Sequence, residues 1–280
     1  MNIEKAINEG YLQLKKNKIK SSHLDSEILM SQVIKKDREY LILNLNQKIN
    51  GKAYKYYHDL INERSKGKPI AYITGKKFFW KHEFYIDQNV LIPRPETELI
   101  IEYVLKKYKN KTKLRLLEIG VGSGCVLLSI LDEKKNFLGT GIDLTNKCLK
   151  ICNNNAIKIG IKNRLKLHKS DIDNFNLGKY DLIISNPPYI KKIDLKYLDT
   201  DVKDFEPKMA LDGGLEGLSE IRKVIRKSSE LIKKKGILIL EIAFNQKNDV
   251  KKLLNNKGFY INKVLKDYAN KDRCIISTKI

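Results

Sequence analysis

Asp181-Leu182-Ile183-Ile184-Ser185-Asn186-Pro187-Pro188-Tyr189 is the stretch that decides the fold of this 280-residue chain. Its apolar run, Leu182–Ile184, predicts a buried parallel strand, because a strand covered on both faces needs no polar alternation. Pro187 and Pro188 end the strand, since neither has an N–H for the ladder. The stretch therefore predicts a stiff turn at the carboxyl edge of an open α/β sheet, which is the edge where ligands bind.

The turn offers two uncharged acceptors, the side-chain oxygen of Asn186 and the carbonyl of Pro187. Together they suit the two hydrogens of a conjugated NH2 group, and Tyr189 can pack on the flat face of that group. A conjugated NH2 is a poor nucleophile, and holding both hydrogens moves its nitrogen toward a localised lone pair. The alternative for these residues alone is an ordinary proline-rich loop after a core strand.

A glycine-rich loop, Leu116-Leu117-Glu118-Ile119-Gly120-Val121-Gly122-Ser123-Gly124, joins an earlier predicted strand to its helix. Its glycines allow a tight turn and let a ligand approach the backbone, but their spacing differs from the dinucleotide fingerprint G-x-G-x-x-G. Glu118 suits a cationic amino group. Asp143 follows about twenty residues later, at the end of the next predicted strand, where it can bind both ribose hydroxyls or cap a helix. Capping by Thr145 or Asn146 is compatible with ribose binding by Asp143. These features favour S-adenosylmethionine, with S-adenosylhomocysteine as the product.

The predicted cofactor site gathers residues from the ends of four strands. Asp171 follows the third of these strands, where it can accept from an adenine amino group while Ile172 packs on the ring. An aspartate at a strand end is common, so this assignment depends on its place in the series. The predicted cofactor-binding residues are Glu118, Gly120, Val121, Gly122, Ser123, Gly124, Asp143, Leu144, Asp171, Ile172 and Asn186.

From residue 113 onward, predicted strands and helices alternate, which is typical of a doubly wound sheet. The predicted strands are 114–119, 137–142, 165–168, 180–184, 236–242, 259–265 and 273–278. The predicted helices are 123–131, 146–159, 218–233 and 246–256. The last two strands are expected to form a pair.

Residues 1 to about 68 have helical apolar spacing and no acid–base or nucleophile cluster. Ser22 with Asp25 resembles a capping box, and Asp37 is placed to cap a short helix. The aromatic segment 76–85 predicts a β-hairpin. Arg94 lies between two prolines that fix its position, either for binding or as a surface residue on a rigid linker, and a helix is expected over 96–108.

The net charge of +22 raises the question of nucleic-acid binding. Only eight of the 55 basic residues are arginine, the usual fork for bases and phosphates, and the lysines are spread through every segment. Dispersed lysine fits a coding bias toward AT-rich codons better than a base-reading surface. We therefore expect at most weak or nonspecific nucleic-acid binding.

The cysteines and the hydropathy pattern favour a cytoplasmic protein without a metal. None of the four cysteines belongs to a Cys-x-x-Cys pair, so we expect free thiols and no metal site. No apolar run reaches membrane length, and the first residues lack a signal-peptide core. We accordingly expect no membrane contact.

Taken together, these motifs resemble those of the bacterial peptide-chain release factor N5-glutamine methyltransferases, over essentially the whole chain. Asn186–Tyr189 is shared with adenine N6-methyltransferases, so other stretches carry more of the specificity. These stretches are Pro69–Gly75, Ile92–Glu98, Phe205–Pro207, Ala210–Gly214 and Gly217–Leu218.

The resemblance implies a helical substrate-recognition domain over 1–75, a β-hairpin linker over 76–92 and a seven-stranded Rossmann-like methyltransferase domain over 93–280. It implies methylation of the glutamine in the Gly-Gly-Gln loop of class I peptide-chain release factors, which supports translation termination. The residues it implies in catalysis are Asn186, Pro187 and Tyr189. Those it implies in substrate binding are Asn186, Pro187, Pro188, Tyr189 and Arg94.

The sequence departs from the family pattern at three positions, none of them a catalytic group. Val121 replaces a small or hydroxyl residue, Ile172 replaces a frequent aromatic, and Ala243 replaces a common glycine. These changes bear on donor affinity more than on activity.

Three other functions stay open on the sequence. A glutamine methyltransferase acting on a ribosomal protein would use the same chemistry. An adenine N6-methyltransferase on RNA or DNA would have to flip its base, usually with a larger target-reading domain than these first seventy or so residues provide. A non-enzymatic scaffold is disfavoured by the intact glycines, Asp143 and Asn186.

Overall fold

The computed structural model describes residues 1–280. The helices are α1 (Ile3–Lys16), α2 (Ser22–Ile34), α3 (Arg38–Leu43), α4 (Gly51–Ser65), α5 (Ile70–Thr74), α6 (Glu98–Lys107), α7 (Cys125–Glu133), α8 (Asn146–Ile159), α9 (Thr200–Lys203), α10 (Ser219–Leu231) and α11 (Lys247–Asn255). The strands are β1 (Lys76–Phe79), β2 (His82–Tyr85), β3 (Leu114–Ile119), β4 (Phe137–Asp143), β5 (Leu165–Lys169), β6 (Tyr180–Ser185), β7 (Ile232–Glu241), β8 (Phe259–Lys266) and β9 (Asp272–Lys279). No helix combines the length and apolar character needed to cross a bilayer.

The chain divides into two compact units. The first comprises residues 1–76 with 199–205, and the second comprises residues 77–198 with 206–280. The sequence does not predict that residues 199–205 belong to the first unit. The functions predicted for the separate segments stay predictions.

The first unit is a helical cluster whose core follows the predicted apolar spacing. Ile3, Ala6 and Leu14 are fully buried, as expected for one face of α1. The predicted cap of α3 is confirmed, because the Asp37 side chain accepts from the Tyr40 N–H at 2.8 Å.

The predicted capping box at Ser22 is wrong. Ser21 occupies the N-cap of α2, and its side chain caps no helical N–H. Asp25 accepts instead from the Ser21 hydroxyl at 2.8 Å and from Arg64 Nε at 2.7 Å. Arg64 also donates to two backbone carbonyls just beyond α4, those of Gly67 and Lys68. The aspartate therefore joins α2 to the end of α4, which local sequence spacing does not show.

The second unit is built on a seven-stranded sheet in the order β5-β4-β3-β6-β7-β9-β8. The first five strands in this order are parallel to one another. At one edge, β9 runs antiparallel to β7, and β8 runs antiparallel to β9. The doubly wound α/β fold predicted from the alternation is confirmed. The chain order reverses between β3 and β6, which opens a crevice at their carboxyl ends.

Two helices begin two residues later than predicted, for identifiable reasons. Gly124 has a left-handed φ of 81°, so α7 starts at Cys125 and not at Ser123. Residues 95–97 form a single 3-10 turn, so the α-helical geometry of α6 starts at Glu98.

The predicted hairpin is present as β1 and β2, and residues 77–85 lie in the second unit. Phe79 and Phe84 are buried. Asn155 on α8 accepts from the Tyr85 N–H at 2.8 Å and donates to the carbonyls of Tyr85 and Ser123. This one amide therefore fixes the hairpin, α8 and the glycine-rich loop to one another.

Candidate active site

A cavity of about 440 Å³ opens at the carboxyl edge of the parallel strands, a volume within the range of small-molecule sites. It lies at the crevice between β3 and β6. Its wall includes the glycine-rich loop, the ends of β4 and β6, and the loop after β5. The predicted site residues in the wall are Arg94, Glu118, Gly120, Val121, Gly122, Ser123, Asp143, Leu144, Asp171, Ile172, Asn186, Pro187 and Pro188.

The glycines of the loop have two different tasks. Gly120 and Gly122 have left-handed φ angles of 75° and 51°, and a Cβ added to either would meet no protein atom within 4 Å. They leave open space that a ligand can fill. Gly124 lies outside the cavity wall, and a Cβ there would come within 2.6 Å of Cys152 Sγ. Its lack of a side chain serves the packing of α7 on α8.

The helix cap considered for Asp143 belongs instead to Thr145, the N-cap of α8, while Asp143 holds the glycine-rich loop. Its Oδ2 accepts from the Gly122 N–H at 3.0 Å, and its Oδ1 accepts from the Thr145 N–H at 3.2 Å. The Thr145 hydroxyl caps α8 through the Cys148 N–H at 3.1 Å. Each carboxylate oxygen retains acceptor capacity toward the cavity. The aspartate therefore shapes the glycine loop and can still accept from a pair of hydroxyls.

Glu118 is a cavity-lining carboxyl group that is only 4% exposed. Its Oε2 accepts from the Leu127 N–H of α7 at 3.0 Å. Burial raises the pKa of Glu118 from its ordinary 4.5 to about 8, with the nearby Asp143 charge adding to the rise. A cationic amino group entering the cavity would reverse this effect by stabilising the ionised form.

The adenine side of the predicted site is formed by short-range contacts after β5. Asp171 Oδ1 accepts from the Asp173 N–H at 2.9 Å, which fixes the carboxylate at the start of a short 3-10 turn. Ile172 is buried, and Leu144 is half exposed. Both side chains offer apolar surface for a ring, and the second Asp171 oxygen is available to an amino group.

Asn186 and Pro187 provide acceptors at the end of β6, beside the glycine-rich loop that follows the neighbouring strand β3. Neither the Asn186 side chain nor the Pro187 carbonyl makes a hydrogen bond within the chain. The turn itself is firmly held, because the Ser185 hydroxyl donates to the Ile119 carbonyl at 2.8 Å. The strand end is therefore rigid while two of its acceptors remain free.

Tyr189 occupies a different place from the one predicted. It does not line the cavity, and its ring packs against the core beneath the sheet edge. Its hydroxyl donates to Glu241 Oε1 at 3.4 Å. The sequence places Tyr189 next to the turn, but the fold directs its side chain away from the ligand space.

Arg94 lines the cavity and is ion-paired with Glu206, a residue that lies 112 positions away in the sequence. The Glu206 side chain is 1% exposed, and its second oxygen accepts from the Ile92 N–H at 3.2 Å. A buried carboxylate thus fixes one edge of the guanidinium. The other N–H groups of Arg94 remain available for carbonyl or carboxylate oxygens.

Several cavity residues were not assigned a site role from the sequence. Those from segments outside the four strand ends include Asn89, Thr97, Met209, Ala210, Asp212, Glu220 and Lys223. Thr97, Ala210 and Asp212 belong to stretches that carried the family resemblance, which was the available signal. Lys223 donates to Glu220 at 2.8 Å, and no local motif distinguishes this pair from a surface pair.

Two family models match the chain. One, described as the PrmC N-terminal domain, matches residues 5–75, and the other, described as a methyltransferase domain, matches residues 110–275. Among curated proteins, a release factor glutamine methyltransferase from Clostridium acetobutylicum is 34% identical, over 100% of this chain and 99% of the relative. One of the same description from Clostridium botulinum is 36% identical, over 97% of each.

A solved structure supports the fold independently. A ribosomal protein L11 methylase from Lactobacillus delbrueckii subsp. bulgaricus superimposes with a TM-score of 0.51 over 70% of this chain and 84% of that chain. The two sequences are 17% identical, so the likeness concerns the fold alone.

Proposed function

Because the chain belongs to the release factor glutamine methyltransferase family, we propose that it methylates the N5 amide of the glutamine in the Gly-Gly-Gln loop of class I release factors. The observation that carries this proposal is the pair of free acceptors, Asn186 and Pro187, which lines the same cavity as the glycine-rich loop. A side-chain amide has two N–H hydrogens, and this pair matches them.

We propose S-adenosylmethionine as the methyl donor; when bound, it supplies an electrophilic methyl group on a sulfonium. The open space over Gly120 and Gly122 admits a ligand against the backbone. Asp143 would accept from the ribose hydroxyls, Asp171 from the adenine amino group, and Glu118 would face the amino group. These residues place the donor and take no part in bond making.

The substrate amide would be oriented by Asn186 and Pro187. Each acceptor takes one amide hydrogen, which fixes the plane of the group and reduces its conjugation with the carbonyl. This orientation would turn the nitrogen lone pair toward the methyl group of the donor, whose S–CH3 bond would break with S-adenosylhomocysteine as the leaving group. The methylated nitrogen releases its extra proton afterwards, so no strong base is required before attack.

Arg94 and the first unit are proposed to recognise the release factor. The free N–H groups of Arg94 suit backbone carbonyls of the release factor's Gly-Gly-Gln loop, whose two glycines have no side chains to block the approach. Residues 1–75 contribute nothing to the cavity wall, and their family model differs from that of the methyltransferase domain. We therefore assign the choice of the release factor to residues 1–75.

The test is incubation with labelled S-adenosylmethionine and a purified class I release factor, followed by peptide mass mapping. One methyl group should appear on the Gly-Gly-Gln glutamine, and a release factor with that glutamine changed to alanine should take up none. Nuclease treatment should leave incorporation unchanged, and a purified ribosomal protein mixture should be a poor substrate. Label that disappears with the nucleic acid would establish the adenine reaction in place of this one.

A further inference from the structure

Glu241 is a buried carboxyl group that the proposed reaction does not use. It ends β7, is 2% exposed, and lies outside the cavity wall. Its two oxygens accept from two hydroxyls, that of Thr97 at 2.7 Å and that of Tyr189 at 3.4 Å. Thr97 lines the cavity, and Tyr189 directly follows the turn that bears Asn186. One carboxylate therefore connects a cavity wall to the residue that follows the turn Asn186–Pro188, which is called the catalytic turn below.

The main chain of Tyr189 is held as well. Gln246 Nε2 donates to the Tyr189 carbonyl at 3.1 Å and to the Gly217 carbonyl at 2.8 Å, while its Oε1 accepts from the Ala243 N–H at 3.0 Å. A Cβ at Gly217 would lie 2.5 Å from the Tyr189 carbonyl oxygen, so the two backbones are in direct contact. Tyr189 is thus fixed through both its phenol and its backbone.

We propose that Tyr189 anchors the catalytic turn and that Glu241 is the positioning residue that holds its phenol. In this arrangement the Tyr189 ring does not stack on the substrate amide. It fixes the direction of the Asn186 side chain and the Pro187 carbonyl, because the two prolines between them make the turn stiff. The inference rests on the proposed function, since methyl transfer is its readout.

The ionised form of Glu241 makes the better partner, because it can accept from both hydroxyls at once. Burial raises the pKa of Glu241 to about 7, and the facing charged groups act in both directions. Arg273 on β9 favours the ionised form, while Glu96 opposes it. The thiols of Cys274 and Cys125 also lie within its electrostatic reach. Protonation of Glu241 places a hydrogen on one of its oxygens, and that oxygen accepts less well from the Thr97 or Tyr189 hydroxyl. The hold of Glu241 on Tyr189 therefore weakens below about pH 7.

The experiment compares Tyr189→Phe, Glu241→Gln and the double variant in single-turnover and steady-state methylation of a release factor. Each single change should lower kcat about tenfold, the effect expected for one lost hydrogen bond, with donor Kd and KM for the release factor unchanged. The double variant should be no slower than either single one, because both remove the same contact.

Tyr180→Phe is the matched control. Tyr180 is buried in the same core, and its hydroxyl donates to the Leu177 carbonyl at 2.9 Å at the opposite end of β6. This variant should keep the wild-type kcat. Donor calorimetry on every variant verifies that the cofactor site is folded.

A pH profile separates positioning from a general loss of stability. At saturating donor and release factor, wild-type kcat should rise as the pH passes about 7, and Tyr180→Phe should follow it. Tyr189→Phe and Glu241→Gln should both lose this rise. Full activity of Tyr189→Phe with loss of activity in Tyr189→Leu would establish ring stacking and overturn the anchor, as would additive effects in the double variant. A wild-type enzyme inactive on release factors would instead refute the proposed function.

Discussion

Glu118 offers a quantitative test of the cofactor site, because its ionisation should be coupled to donor binding. Burial raises its pKa to about 8, so at pH 7 roughly nine in ten molecules carry the proton in the free protein. A donor with a cationic amino group favours the ionised carboxylate, and binding should therefore release about 0.9 proton at pH 7. Between pH 5.5 and 7, donor affinity should rise about tenfold per pH unit.

Titration calorimetry in buffers of different ionisation enthalpy measures the proton release directly. The window stays at or below pH 7 because a free α-amino group loses its own proton at about 7.7–8.0. Glu118→Gln should bind the donor more weakly and release no proton. Asp181→Asn, which removes a carboxylate at the opposite end of β6, should behave as wild type. Donor binding to the wild type without proton release would refute the placement of the amino group beside Glu118.

Thermal unfolding of the free protein supplies a second readout for the same residue. The folded state keeps the Glu118 proton between pH 4.5 and about 8, whereas the unfolded chain loses it near 4.5. This residue therefore contributes a loss of stability as pH rises through that window. Glu118→Gln should gain stability relative to wild type as the pH is raised from 5 to 8. A constant difference would show that the carboxyl is not buried as described.

Substitutions at Asp143, Asn186 and Asp25 test separate parts of the structure. Asp143→Ala should weaken donor binding by about 1.5–3 kcal/mol in calorimetry, because it removes the proposed ribose acceptor along with the bond to the Gly122 N–H. Asn186→Ala should lower single-turnover methyl transfer by about a hundred- to a thousandfold with donor affinity retained, and Asn186→Asp, which keeps the acceptor and the size, should bind donor but turn over poorly. Near-normal transfer by Asn186→Ala would remove it from the site. Asp25→Ala should destabilise the protein by about 3–5 kcal/mol in denaturant unfolding, because it leaves the buried Arg64 guanidinium without its counter-charge, whereas Glu63→Ala at an exposed pair should cost less than about 1 kcal/mol.

The sequence predicts the local elements of the second unit closely. The apolar run before Asn186 predicts β6 to within a residue of its observed end, because a buried strand has no polar alternation to blur its limits. Thr145 and Asp37 occupy the caps that their side-chain chemistry suits. Errors arise where a residue adopts an uncommon backbone conformation. Gly124 is an example, because its left-handed φ delays the start of α7 by two residues.

Side-chain direction is the main feature that the sequence does not reveal. Tyr189 follows the catalytic turn directly, so sequence adjacency favours a contact with the substrate. In the fold its phenol turns toward Glu241, a residue 52 positions away. Arg94 and Glu206 illustrate the same limit, since their pairing joins segments 112 positions apart.

By itself, the sequence determined the alternation of strands and helices, the glycine-rich loop and the acceptor pair of Asn186 and Pro187. These features depend on periodicity, backbone freedom and the chemistry of neighbouring residues, which are all local. The tertiary structure decided which groups face the cavity and which support it from behind. Strand order placed β6 between β3 and β7, so that Asn186 faces the glycine loop on one side and Tyr189 meets Glu241 on the other. Burial at that edge then set the protonation of Glu118 and Glu241, because desolvation depends on everything packed around a carboxyl group.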